Sequence, residues 1–413
     1  MKCPYIIVAL VLAAACGGDR PGDAAPGASS AELDAIVDSV MPRLQSLAGL
    51  PLRSEVSIEL QSRDSLRKFV ETQMDKDFPA EELNGLRTTY VTLGLLPADI
   101  DLRKLMLDLL GEQVVGYYDP ATKKLFVMEG TPRELLRSTV AHELVHALQD
   151  QHANLDSLTA RSRGNDRQTA AQAAIEGHAT LVMIALAAEE QYGGRFDPRT
   201  LPDISQIIRP GIEQNDQLPV FRRAPRILRE TLLFPYVAGA GLVHKLWIRP
   251  LETGVGDPFP APVGPRLPQS TEQVMHPESR FMVKRDEPTE LGFEGADSAR
   301  VVRENTLGEL ETSIWLSEHL GANAARLAQG WDGDRYRLLR TSSEGHALVW
   351  YSVWDTEAAA DGFADAARRV AQKRGRPSRV ERMALNGTPA VLVVDADPGT
   401  DLPGLPVPRA RLR

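Results

Sequence analysis

His142 and His146 stand four residues apart, and Glu143 directly follows the first of them. On a helix, such positions lie about 40° apart around the axis and one turn along it, so both imidazoles reach a single metal ion. Zinc accepts neutral imidazole nitrogen, and a catalytic zinc keeps three protein ligands with one position left for water. Glu143 is placed to reach that water instead of the metal, which is where a general base takes the water's proton as it attacks a carbonyl. With 8 histidines in the chain, chance would produce this pattern in roughly 1% of such sequences. Thr139, Val140, Leu144, Val145 and Leu148 make the surrounding helix a buried one, where unpaired histidines would be costly. The spacing predicts a metal site, with Zn2+ as the ion.

Two histidines demand a third ligand. His152 lies six residues after His146, the spacing of the extended HExxHxxGxxH motif of metzincins, but that motif needs glycine where this chain has Gln149. A helix continuing through Gln149, Asp150 and Gln151 would carry His152 away from the metal. Glu176 is the better candidate, because it is the lone charge within Ala173-Ala174-Ile175-Glu176-Gly177-His178-Ala179 and needs a compensating partner. The expected ligands are therefore His142, His146 and Glu176. The oxyanion formed by attack on a carbonyl also needs a donor. His276, before Pro277, is the first candidate, Tyr236 the second and Tyr117 the third, although each also fits a structural role. His178, two residues beyond Glu176, points to the other side of its helix and reads as structural or as a support for the ligands.

These residues need elements to hold them. Thr131-Pro132-Arg133-Glu134 predicts a helix start with a threonine cap, and the helix runs from Pro132 to about His152. A second helix, from about Arg167 to Gln191, carries Glu176. Upstream, Val114 to Tyr118 and Leu125 to Met128 flank a turn-rich connector and predict a hairpin. Leu125 to Met128 is the strand expected to pair with an extended peptide. Residues 31–110 read as mainly helical, with a short strand from Glu55 to Leu60. A helical pattern from Ala224 to Ile248 is interrupted at Pro235, and a glycine- and proline-rich loop covers Gly254 to Pro268. Beyond a boundary near 285–305, two helices, two strands, a helix and two strands follow in order. Trp331, Trp350, Trp354, Tyr336 and Tyr351 read there as core aromatics. The fold class is α+β. A mainly helical domain with a small β-hairpin sheet, which resembles the zincins in its His-Glu-x-x-His helix, spans 31–290, and a smaller α+β domain spans 305–400.

The chain has 413 residues, 43% of them apolar, which is ample for a buried core in two or three domains. Its formal net charge of −9 lacks the basic footprint of a nucleic-acid partner. Both cysteines, Cys3 and Cys16, fall in the first sixteen residues, so the rest folds without a disulfide. Lys2, the short apolar run Tyr5 to Ala15 and the small residues before Cys16 form a signal segment too short to span a bilayer comfortably. It resembles a bacterial lipoprotein signal. That resemblance implies that residues 1–16 carry export, that Cys16 is acylated and holds the protein to a membrane, and that residues 17–30 are a flexible tether.

The His-Glu-x-x-His pattern with a downstream Glu-Gly-x-Ala resembles the gluzincins, zinc peptidases whose third ligand is a helical glutamate. Gly116-Tyr117-Tyr118-Asp119-Pro120, the run from Ala141 to His152, Phe234-Pro235-Tyr236 and the run from Ser270 to Pro277 resemble, over roughly residues 31–285, a largely uncharacterised family of exported bacterial zinc-peptidase-like proteins. The resemblance implies hydrolysis of peptide bonds in a peptide or protein substrate. Two alternatives stay open at this level. One is an exported scaffold or binding protein that keeps zinc without turnover, and the other is a zinc hydrolase of a non-peptide amide such as a cell-wall crosslink.

Overall fold

The computed structural model describes residues 7–10 and 28–412, apart from 194–195, 203, 214, 216–217, 254–255, 258, 295–299, 343 and 406. Most of the expected signal segment and tether lie outside the described residues. A short strand, β1 (Ile7–Leu10), comes first. Helix α1 (Ser30–Ala48) starts where the Ser29 hydroxyl accepts from the Glu32 amide and ends at Gly49, whose φ of 63° suits glycine. Its stripe of Leu33, Val40, Leu44 and Leu47 is fully buried, and each leucine contributes about 1.5–3 kcal/mol by leaving water. Strand β2 (Ser57–Gln61) and helices α2 (Arg63–Asp77), α3 (Ala80–Thr92) and α4 (Leu102–Gln113) follow.

Strands β3 (Val114–Asp119) and β4 (Lys124–Met128) form the expected antiparallel hairpin. The sheet order is β1-β3-β4-β2, with β2 parallel to β4. This corrects the expectation for Leu125 to Met128, since β4 has a strand on each side and no edge to offer. The edge beside β3 is the one that takes an extended chain, and β1 lies on it antiparallel.

Helix α5 (Arg133–His152) carries the His-Glu-x-x-His motif. Its start also differs from expectation. Pro132 is the cap residue and no side chain caps the helix, because the Thr131 hydroxyl donates to the Met128 carbonyl at 2.7 Å. After α6 (Leu155–Leu158) comes α7 (Asn165–Gln191), then α8 (Ser205–Glu213), α9 (Pro219–Arg223) and α10 (Arg226–Thr253). The expected interruption at Pro235 is absent, and α10 runs straight through it. Proline removes one helical hydrogen bond, and here packing against α7 holds the helix together. A methyl on Gly177 would come within 1.9 Å of the Gly239 carbonyl carbon, and one on Gly239 within 1.9 Å of the Ala173 oxygen. The two backbones touch, which only glycine permits at these positions. By length and composition α7 and α10 are apolar enough to cross a membrane, but they are mostly buried within the protein.

After α11 (Thr271–Met275), β5 (Leu291–Glu294) pairs with the last strand, so the C-terminal unit begins within the expected boundary region of 285–305. The unit continues through β6 (Val301–Asn305), α12 (Gly308–Leu320), β7 (Trp331–Arg340), β8 (His346–Trp354), α13 (Glu357–Arg374), β9 (Ser378–Leu385), β10 (Thr388–Ala396) and β11 (Arg409–Leu412). Its antiparallel sheet has the order β6-β7-β8-β10-β9. Strand alternation sends Trp350 and Trp354 toward Phe363 of α13, and Val349, Tyr351 and Val353 toward the β5–β11 ribbon. The indole N–H groups of Trp331 and Trp350 both donate to Asp334, as do the first amides of α12. The aromatic cluster is therefore core. The molecule is α+β, and Leu307 with Leu310 and Ile314 of α12 continues the hydrophobic core of the helical part.

Candidate metal centre

Helices α5 and α7 bring three donors together with almost no exposure: His142 and Glu176 are 2% exposed and His146 0%. The His142 and His146 Nε2 atoms are 3.1 Å apart, and Glu176 Oε2 lies 3.2 Å from the first and 3.4 Å from the second. A tetrahedral zinc with bonds near 2.0 Å needs its donors roughly 3.3 Å apart, so the triangle has the size that zinc requires.

The hydrogen bonds around His146 determine which of its nitrogens faces the triangle. Gln149 Nε2 donates to the Ile175 carbonyl at 3.0 Å and lies 3.0 Å from His178 Nδ1, using both of its hydrogens. Its Oε1 therefore faces His146 Nδ1, at 2.8 Å, and accepts the proton there. His146 Nε2 then faces Glu176 Oε2, a contact that calls for a cation or a proton between them; burial lowers the His146 pKa, but Glu176 and Glu143 outweigh it and raise it. Burial lowers the His142 pKa, favouring the neutral imidazole that a metal needs. Burial would raise the Glu176 carboxyl, but His146 and His142 outweigh it and hold it down to about 2. His178, buried and pushed down to about 3, stays neutral and orients Gln149. Replacing Gln149 by leucine frees His146 to rotate, so zinc affinity falls about 10–100-fold. Competition with a chromophoric chelator measures this, and unchanged affinity would remove Gln149 from the support of the site.

Glu143 is fully buried on the face of α5 under β3, where a methyl on Gly116 would lie 3.7 Å from its Cγ and 2.6 Å from Thr139 Cγ2. The bare backbone of Gly116 thus lets β3 run directly over Glu143. Tyr236 of α10 has its ring 6.4 Å from that of His142. The other candidate donors have partners of their own. His276 Nε2 is 2.9 Å from Glu309 of α12, and no hydrogen bond, ion pair or ring contact among the described residues joins it to the three donors. Tyr117 donates to Gln61 and stacks on Phe69 and Phe126 in the core. His152 ends α5 against the Pro51 carbonyl at 2.7 Å, away from the triangle. Sequence reading missed Gln149 as a supporting residue. Its three-residue step from His146, which places both on one helix face, is the signal that could have found it.

Residues 299–400, which take in β6 to β10, match the model of a family described only as a domain of unknown function, DUF8575. No curated protein and no solved structure matches the chain significantly.

Proposed function

We propose that the chain is a zinc-dependent peptidase, with His142, His146 and Glu176 as ligands and Glu143 as general base. The observation that carries this reading is the buried triangle of donors at 3.1 to 3.4 Å with a carboxylate beside it that is not one of the three. Bound there, zinc would supply Lewis-acid polarisation and lower the pKa of water toward neutrality. Glu143 takes the proton of the attacking water and passes it to the departing nitrogen. Tyr236, whose ring lies 6.4 Å from that of His142, donates to the carbonyl oxygen as negative charge develops there. The edge of β3 supports a peptide as the substrate, since a strand edge recognises an extended backbone and β1 already lies on it. The decisive experiment measures bound zinc and peptide hydrolysis together in wild type and in Glu143→Gln. Zinc bound with no peptide cut by wild type would favour the scaffold or the non-peptide amide.

We also propose that the protein works outside the cytoplasm, anchored to a bacterial membrane by acylated Cys16. The anchor rests on the segment before Cys16. Cells expressing the protein should incorporate labelled palmitate into it, and Cys16→Ser should lose the label and move the protein to the soluble fraction. Label retained in Cys16→Ser would end the proposal.

A further inference from the structure

A cleft of about 840 Å3 lies between the helical part and the C-terminal unit. Its floor is a stripe of α7, where Asn165, Gln168, Thr169 and Gln172 recur at three- and four-residue steps. The next step on that stripe is Glu176. Leu228 and Leu232 of α10 form one wall, and Tyr236 stands one turn beyond them. Met106 and Leu109 of α4 form another. The far wall is β6, the edge strand of the C-terminal sheet. The lining thus stops one helical step short of Glu176 on α7 and of Tyr236 on α10.

Its chemistry is mainly that of amides and apolar surface, with Lys76 and Arg163 adding basic groups to the lining. The charges that the C-terminal unit brings are cancelled locally, Arg303 by Glu82 at 2.7 Å and Arg335 by Glu304 at 2.9 Å. Glu311 accepts from Tyr90 and Asn165 at 2.7 Å each. Gln113, which immediately precedes β3, adds an independent sign of a ligand. It lines the cleft, is 5% exposed, and its Nε2 has no hydrogen-bond partner among the described residues. A buried donor left unsatisfied costs about 1–3 kcal/mol, and a peptide carbonyl in the cleft would relieve it.

Strand polarity gives the direction. On the β3 edge, β1 runs antiparallel from Ile7 opposite Tyr118 to Leu10 opposite Val114. A chain lying that way travels toward Gln113 and enters the cleft with its C-terminal side. From Glu176 back to Asn165 the stripe covers about 16 Å at 1.5 Å per residue, which is roughly five residues of extended chain.

We infer that this cleft holds three to five residues of an extended polypeptide on the C-terminal side of the cut bond. Gln113 donates to a substrate carbonyl, and β6 of the C-terminal unit is a wall of the substrate site. The inference rests on the peptidase reading. Its test uses zinc-loaded protein and two series of quenched fluorescent peptides, one lengthened residue by residue after the cut bond and one before it. In wild type, kcat/KM rises at least tenfold over the first three to five residues added on the C-terminal side, and rises less on the other. Leu232→Trp fills the cleft and brings the ratio of long to short peptides close to one. Gln113→Leu lowers kcat/KM for the long peptides several-fold, while its melting temperature stays level or rises because an unsatisfied buried donor has gone. Cleavage without length dependence, or length dependence unchanged in both variants, overturns the inference. If wild type cuts none of the peptides, the peptidase reading falls, and the cleft is judged separately by fluorescence anisotropy of the longest labelled peptide. Binding weakened tenfold or more by Leu232→Trp then supports the cleft, and equal binding overturns it.

Discussion

Glu143→Gln lowers peptide hydrolysis by about 10²–10⁴-fold, the usual contribution of a general base, and leaves the zinc content unchanged. A thousandfold loss corresponds to about 4 kcal/mol of activation free energy. The two readouts separate because Glu143 faces the centre without belonging to the donor triangle. Glutamine keeps the size and the polar contacts of the side chain but cannot take a proton. Stability should hold or improve, since Glu143 is 0% exposed and its replacement removes a buried charge. Steady-state kinetics, elemental analysis and a thermal melt on one preparation check all three. Zinc lost together with activity would make Glu143 a ligand, and activity retained would leave the base role to another group.

Glu176→Ala should weaken zinc binding by more than the ~10–100-fold that follows loss of a supporting contact, because it removes a donor and leaves two histidine nitrogens 3.1 Å apart with no anion between them and the solvent-free interior. The effect reaches stability by linkage. Free zinc at about a thousand times Kd stabilises a folded protein by about 4 kcal/mol, and the variant forfeits that gain at the same zinc concentration. Melting with and without added zinc, alongside chelator competition, measures both. His152→Ala is the matched control and should bind zinc as wild type does, since His152 bonds the Pro51 carbonyl. Wild-type affinity in Glu176→Ala would sink the assignment.

The parts of the site that were legible in the sequence obey local rules. The four-residue step from His142 to His146 becomes a shared face as soon as the segment is helical, whatever surrounds it. Glu176 stood out because a single charge in an alanine-rich run has to be compensated wherever that run is buried. The hairpin from Val114 to Met128 was readable from two apolar runs and a turn. By contrast, three candidate oxyanion donors looked alike, and only packing separated them: Tyr236 lies beside His142, His276 is held by Glu309 and Tyr117 is stacked in the core. Pro235 suggested a break that the contact between Gly177 and Gly239 overrides.

Residue type and spacing thus determined which three side chains meet, the carboxylate next in sequence to the first and the α+β class, since each depends on chain geometry over a turn or two, or on the cost of burying a charge. Tertiary structure decided everything that joins distant segments. It oriented His146 through Gln149 and His178, made β3 and not β4 the strand that takes an extended chain, and turned β6 of the C-terminal unit into a wall of the cleft. The physical reason is that such contacts depend on how whole faces pack, and a side chain carries no local mark of the surface it will meet.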